Sequence, residues 1–295
     1  MTNAPPHLLS QGQIDLYRTH GYITVENVLS PDEVAELRRV TDECVEQSRT
    51  LSSNTPLYDF EPGHSTAQPR VRRLKNPAGH HAAYDRILRH PRILDIVAQL
   101  IGPRLWTNGN KLNMKSAEFG SPIEWHQDWA FYPQTNDDLL AVGVPLDDML
   151  LENGCMLMVP GSHTGPLYDH HQDGVFVGAI NDARFNPGHE EVTPVQVKAG
   201  GISIHHVRTL HASAPNRSAK SRRLLLMQYC AGDAWPLTGV ASWDAHRESF
   251  VRGEPSPAPR LADVPVRIPM PTRMPGGTIY ELQTQLKESA FAAKK

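Results

Sequence analysis

The chain has 295 residues, 39% of them apolar and 21% charged, with a net charge of −3. That apolar share can close one large core and argues against a disordered chain, while the near balance of charge argues against a basic nucleic-acid-binding face. Three widely spaced cysteines, Cys44, Cys155 and Cys230, form no Cys-x-x-Cys pair, which argues against both a disulfide framework and a thiolate zinc cluster.

The first residues, Met1 to Pro6, lack the charged and apolar regions of a signal peptide. Ser10 to His20 reads as a short helix ended by Gly21, and Tyr22 to Leu29 alternates like a strand. Ser30-Pro31-Asp32-Glu33 is a helix start with a capping serine, a first-turn proline and a capping-box glutamate; Val34, Leu37, Val40 and Cys44 follow at helical spacing. A third helix is predicted from Pro91 through Ile93, Ile96, Val97 and Leu100 to Gly102-Pro103.

From about Leu105 short apolar runs alternate with Gly, Pro, Asn and Asp breaks. Residues 139–144, 155–159, 201–204 and 223–229 read as strands, several apolar at every position, as expected of strands buried on both faces. Helices first and strands after, without βαβ alternation, predict a mainly β fold: a double-stranded β-helix (jelly-roll or cupin-like) barrel with N-terminal helices packed outside. The expected organisation is a single domain, with a helical part about 10–103, a barrel core about 104–235 and a tail 236–295. Residues 169–191 and 253–277 read as long loops of the kind that form lids or binding loops. No apolar run reaches membrane-spanning length and Ala293-Lys294-Lys295 is not a peroxisomal address, so the expectation is a cytoplasmic protein with no membrane partner.

The stretch Glu124-Trp125-His126-Gln127-Asp128-Trp129 carries the chemistry. On an extended strand residues i and i+2 share a side, so His126 and Asp128 face one way and Gln127 the other. With His211 downstream they can form a two-histidine, one-carboxylate set, which binds one face of ferrous iron and leaves the opposite positions open. After His211 a turn-rich segment leads into a strand opening on Arg222-Arg223. An arginine there can point back towards His211, where its planar fork suits a carboxylate, and Ser213 lies on the same side as His211. The arrangement points to iron plus a dicarboxylate co-substrate.

Three motifs in order resemble the phytanoyl-CoA dioxygenase family of iron(II)/2-oxoglutarate oxygenases, over roughly Gln11 to Trp235. They are Asn113-Met114-Lys115 followed by Trp125-His126-Gln127-Asp128; Glu152-Asn153-Gly154-Cys155-Met156 leading to Val159-Pro160-Gly161-Ser162-His163; and His211-x-Ser213-x-x-Asn216-x-Ser218-x-x-x-Arg222. The resemblance implies that His126, Asp128 and His211 bind iron, that Arg222 takes the distal carboxylate of 2-oxoglutarate and that Ser213 assists it. Asn113 resembles a co-substrate asparagine of the ectoine hydroxylases in the same wider group, although its upstream polar partner there aligns with Gly109 here. Strand alternation and the spacing from His211 favour Arg222 over Arg223. Related halogenases lack the carboxylate, so Asp128 favours hydroxylation of a small-molecule or secondary-metabolite substrate, with O2 consumed and succinate and carbon dioxide released.

Other residues carry a bland reading beside the functional one. Trp129 and Phe131 are pocket wall or core, Arg184 is an anion contact or a solvated loop arginine, and Trp235 is pocket edge or core. His163 reads as a turn residue with a hydrogen-bond role, His170-His171 as a solvated loop, Lys115 as a surface strand lysine, and His205 and His206 as core or surface. Two alternative functions stay open on the sequence: a cupin-like hydrolase or isomerase that needs no keto acid, and a non-catalytic metal-binding barrel.

Overall fold

The computed structural model describes residues 9–118, 120–188, 191–270 and 277–291. The readings of residues 1–6 and 293–295, and the 271–276 part of the second long loop, lie outside the described residues. Among those described, no helix is long and apolar enough to cross a membrane.

The helices are α1 (Gln11–His20), α2 (Pro31–Gln47), α3 (Ala82–Leu88), α4 (Pro91–Ile101), α5 (Trp243–Glu248) and α6 (Ile279–Gln283). The strands are β1 (Tyr22–Val25), β2 (Tyr58–Phe60), β3 (Val71–Lys75), β4 (Leu105–Lys115), β5 (Ile123–His126), β6 (Leu139–Pro145), β7 (Met156–Met158), β8 (His171–Gln172), β9 (Val175–Phe176), β10 (Thr193–Val195), β11 (Ile202–His206), β12 (His211–Ser213), β13 (Arg222–Ala231) and β14 (Phe250–Arg252). The capping signals act as expected. Ser10 and Ser30 cap α1 and α2 with complete capping boxes, and Gly21 closes α1 at φ 78°. The first strand is shorter than its alternation predicts because Asn27 takes a φ of 55°. Val28 and Leu29 then donate their N–H groups to the Gly200 carbonyl instead of to a strand.

Two sheets carry the architecture. An eight-stranded antiparallel sheet runs β1-β11-β6-β13-β4-β3-β2, with β14 also pairing β4; a four-stranded sheet runs β10-β7-β12-β5. Period-two alternation divides the large sheet into two buried faces. Leu112 and Met114, Val142 and Val144, Ile202 and Ile204, and Leu225, Met227 and Tyr229 pack in one cluster with Leu37 and Val40 of α2, Tyr84 of α3, and Ile93, Ile96 and Val97 of α4. The opposite face presents Lys111, Asn113, Ala141, His205, Arg222 and Gln228 to a pocket whose far wall is Ile123, His126, Met156, His211 and Ser213 of the small sheet. The strands read as apolar throughout because one face meets helices and the other meets a second sheet.

Candidate active site

His126 ends β5 and His211 begins β12, and the two are direct cross-strand partners in the small sheet. Their rings lie 4.0 Å apart, centroid to centroid. Asp128 is not on the strand but opens a 3-10 turn, Asp128–Ala130. Gln127 is nevertheless extended (φ −119°, ψ 127°), so the i, i+2 alternation carries across the strand end and Asp128 joins His126 on one side. One ligand atom from each of the three lies within 4.8 Å of the other two, and all three side chains are buried.

The tautomers suit a metal. His126 donates from Nδ1 to the Glu124 carbonyl at 2.8 Å, and His211 from Nδ1 to the Thr209 carbonyl at 2.9 Å. Each Nε2 is left as the free lone pair. Burial holds both imidazoles neutral, pushing His126 down to about 4 and His211 well below its usual value. Burial alone would raise the Asp128 carboxyl, but His205, His211 and Lys111 around it hold it well below the usual carboxylate range. Two neutral imidazoles and one carboxylate are the donor set that ferrous iron takes on one face.

The backbone between the ligands is clamped. The Gln127 N–H donates to His170 Nε2 at 2.9 Å, and the His170 Nδ1 donates to the Tyr168 carbonyl. The Gln127 side chain points away from the ligands, as alternation requires, and bonds the carbonyls of Pro166 and Arg208 and the N–H of Tyr168. His170 and His171 were expected in a solvated loop, but both are buried. The loop is pinned along β5 by the Ile180 N–H on the Trp125 carbonyl.

Beside the three ligands the pocket holds several buried polar atoms without partners among the described residues. They are Arg222 Nε, Ser213 Oγ, Asn113 Oδ1 and the Tyr280 hydroxyl. Arg222 is 2% exposed, and among the described residues its side chain makes one hydrogen bond, from Nη2 to the Gly154 carbonyl at 2.7 Å. Arg223 faces the other way, bound to Asp147 and Asp42, so the alternation argument selects the right arginine for the pocket. Tyr280, on α6, escaped the sequence reading. Its readable signal was the capping box Thr278-x-x-Glu281 that starts α6.

Several expectations change. Trp129 is fully buried, donates its indole N–H to the Pro265 carbonyl, and packs with Trp106 and Leu139; it is core and does not line the pocket. Phe131 does line the cavity next to the ligands and sits edge-on to His126. Arg184 is exposed and spent on Asp182, and Trp235 bonds the Ser256 carbonyl and stacks on Trp243; neither lines the pocket. Lys115 is buried rather than on the surface, donating to the carbonyls of Ser121 and Ala214. His163 bonds the Arg18 carbonyl from its turn, as expected. His205, read as core or surface, lines the pocket with Nε2 3.4 Å from Asp128 Oδ2.

The family model "Phytanoyl-CoA dioxygenase (PhyH)" matches residues 17–224. A protein of Stutzerimonas stutzeri named a probable alpha-ketoglutarate-dependent hypophosphite dioxygenase is 36% identical over 93% of this chain and 97% of its own. The L-proline trans-4-hydroxylase of Streptomyces griseoviridis is 28% identical over 72% of this chain and 83% of its own. Among solved structures, EctD from S. alaskensis with 2-oxoglutarate and 5-hydroxyectoine superimposes with a TM-score of 0.68 at 21% identity, covering 87% of this chain and 88% of that one. The similarity of that structure speaks for a shared fold.

Proposed function

The chain belongs to the phytanoyl-CoA dioxygenase family, and from that premise we propose that it is an iron(II)- and 2-oxoglutarate-dependent dioxygenase that hydroxylates a small molecule. His126, Asp128 and His211 would hold the iron, and Arg222 with Ser213 and Asn113 would hold the co-substrate. The two facing sheets would be the halves of a double-stranded β-helix within a single domain.

One observation carries the reading: Arg222 Nε, Ser213 Oγ and Asn113 Oδ1 are buried beside the ligands with no partner among the described residues. A buried, unpartnered polar group is costly, and a carboxylate meeting Arg222 and Ser213 removes that cost for two of the three. Bound there, the iron–keto acid pair supplies O2 activation coupled to loss of carbon dioxide from 2-oxoglutarate, leaving succinate.

The protein's own contribution is positional. Arg222 fixes the far end of the dicarboxylate, and its anchor on Gly154 sets the direction of the fork. The two neutral imidazoles keep their Nε2 lone pairs available for metal at neutral pH. Leu224, Leu226, Met156 and Ala212 line the pocket with apolar surface, which would limit water at the reacting centre once the co-substrate is bound. Asp128 keeps the carboxylate in the ligand set, which favours oxygen insertion over transfer of a halide. The similar proteins named for hypophosphite and proline act on small charged compounds, and a small charged substrate fits a pocket this confined.

The test adds ferrous iron and 2-oxoglutarate to metal-free protein without oxygen and looks for the weak visible charge-transfer band of keto acid on iron. The band should form, vanish in His126→Ala and weaken in Arg222→Ala. Iron binding without a band would remove the keto acid and favour a cupin-like hydrolase or isomerase. No iron binding would leave a non-catalytic barrel.

A further inference from the structure

One wall of the pocket comes from beyond the residues that the family model matches. Residues 277–291 dock along β5, the strand that ends on His126. The Glu124 N–H donates to Gln283 Oε1 at 3.0 Å, and the Ala290 N–H donates to the Glu124 carboxylate at 2.9 Å. Gln283 also donates to the Gly178 carbonyl, and the Thr278 hydroxyl to Asp59 at 3.0 Å. These bonds seat α6 so that Ile279 and Tyr280 line the pocket together with Arg222 and Ser213.

Tyr280 is held firmly by its ring, while its hydroxyl is left unmatched. The Arg72 guanidinium lies 4.5 Å from the ring centroid. Arg72 is fixed in turn by Asp59 at 2.8 Å, the same carboxylate that Thr278 binds. Arg73, next along β3, turns instead to the adjoining cavity. The Tyr280 hydroxyl is buried with no partner among the described residues. Glu61, whose charge reaches it, is already engaged by the N–H and hydroxyl of Ser121. Burial pushes the phenol up to about 12 against the pull of Arg222, so it stays protonated and able to donate. Phenylalanine would fill the same wall without burying an orphan donor, which is costly. Arg222 Nε, Ser213 Oγ and the Tyr280 hydroxyl are thus three donors around one pocket, none with an acceptor among the described residues. An ionised carboxylate offers about four acceptor sites, enough for all three.

We propose that Tyr280 is the third donor to the far carboxylate of 2-oxoglutarate, beside Arg222 and Ser213, and that co-substrate binding and docking of the 277–291 segment therefore strengthen each other. This rests on the iron–2-oxoglutarate reading above. Arg222 comes from β13 of the large sheet, Ser213 from β12 of the small one and Tyr280 from α6, so the carboxylate is met from three separate elements. A hydroxyl on a carboxylate makes a charge-assisted bond, stronger than one between neutral groups. The coupling is reciprocal: whatever factor the docked helix adds to co-substrate affinity, the bound co-substrate adds to docking of the helix.

The experiment titrates iron-loaded protein without oxygen, following the visible band. The probes are 2-oxoglutarate and 2-oxopentanoate, which carries a methyl group in place of the far carboxylate. Tyr280→Phe keeps the ring over which Arg72 lies. It should bind 2-oxoglutarate about tenfold or more weaker, the loss of one hydrogen bond to a charged group. Its affinity for 2-oxopentanoate should stay within about twofold of the unaltered protein's, and its affinity for iron should not change. Equal losses for both keto acids would mean that Tyr280 only packs, and no loss for 2-oxoglutarate would mean that its hydroxyl meets no carboxylate. Either result overturns the inference and leaves the underlying function standing. Hydrogen exchange on the unaltered protein decides the matter if the variant fails to fold. There, 2-oxoglutarate with iron should slow amide exchange across α6 severalfold or more, and 2-oxopentanoate should not. Exchange that ignores 2-oxoglutarate, or responds equally to both keto acids, overturns the inference. No band in the unaltered protein would remove the underlying function and this role of Tyr280 together.

Discussion

His170 provides no ligand atom, yet it fixes the peptide that joins two of them. Its Nε2 accepts the Gln127 N–H, and Gln127 stands between His126 and Asp128. In His170→Ala that N–H loses its partner in a buried place, and the angle between the two ligands is no longer held. Iron affinity should drop about tenfold or more, the usual range for groups that orient metal ligands. The check is iron titration of metal-free protein; an unchanged affinity would mean the strand alone sets the ligand geometry. His126 and Asp128, and likewise His211 and Ser213, were legible because each pair is two residues apart and extended backbone converts that offset into a shared face, and Arg222 because it opens the strand that follows the turn after His211. His170, Tyr280 and Arg73 have no such local relation. They reach the site by tertiary folding of a loop, a tail and an arginine-rich strand, His170 from behind the ligands and the other two from the cavity side, and nothing in their immediate neighbours announces it. Trp129 fails for the opposite reason: its nearness in sequence to Asp128 placed it at the metal, but the 3-10 turn swings it into the core.

Short turns between strands decide how the pocket is furnished. The turn Leu151–Asn153 closes on Gly154, whose φ of 77° admits few side chains, and a Cβ there would lie 2.5 Å from the Ala214 carbonyl oxygen. Because the Gly154 carbonyl is the anchor of Arg222, shifting this turn moves the guanidinium. Gly154→Ala should therefore destabilise the fold by about 1–3 kcal/mol and raise the KM for 2-oxoglutarate at least severalfold. Ser30→Ala is the matched control. It removes the cap of α2, should cost about 1 kcal/mol, and should leave that KM alone. Denaturant melts and 2-oxoglutarate titrations on both variants separate the two effects; equal KM values would sever the link from turn to arginine. Helices α1 and α2 could be read from sequence because their ends carry capping hydrogen bonds, and α4 because Pro91 opens a run of apolar residues at helical spacing that stops at Gly102-Pro103. Strand β3, Val71-Arg72-Arg73-Leu74-Lys75, could not, since two successive arginines hide the alternation. One of them stacks on Tyr280, and the other enters the cavity.

Packing a polar site between two sheets places an unusual number of imidazoles in the interior. His126 is pushed down to about 4 and His170 to about 3, both chiefly by burial, and His211 and His206 are lowered from the same cause. In the unfolded chain each titrates near 6.5. Below that pH the unfolded state binds protons that the folded state refuses, so stability falls as the solution is acidified. For His126 the loss runs from about 6.5 down to about 4, and for His170 to about 3, each at up to about 1.4 kcal/mol per pH unit. Asp128 acts in the same sense lower down: its depressed carboxyl stabilises the fold above the ordinary carboxylate range, and that contribution is lost as pH drops through its folded value. Metal-free protein should accordingly lose several kcal/mol between pH 7 and pH 5, read as a falling urea midpoint with constant slope. Ferrous iron should restore stability most near neutrality and progressively less as acid competes for the same imidazoles. A urea midpoint that stays flat from pH 7 to pH 5 would show that these rings open to water before they protonate, and that the interior between the sheets is less sealed than their burial indicates.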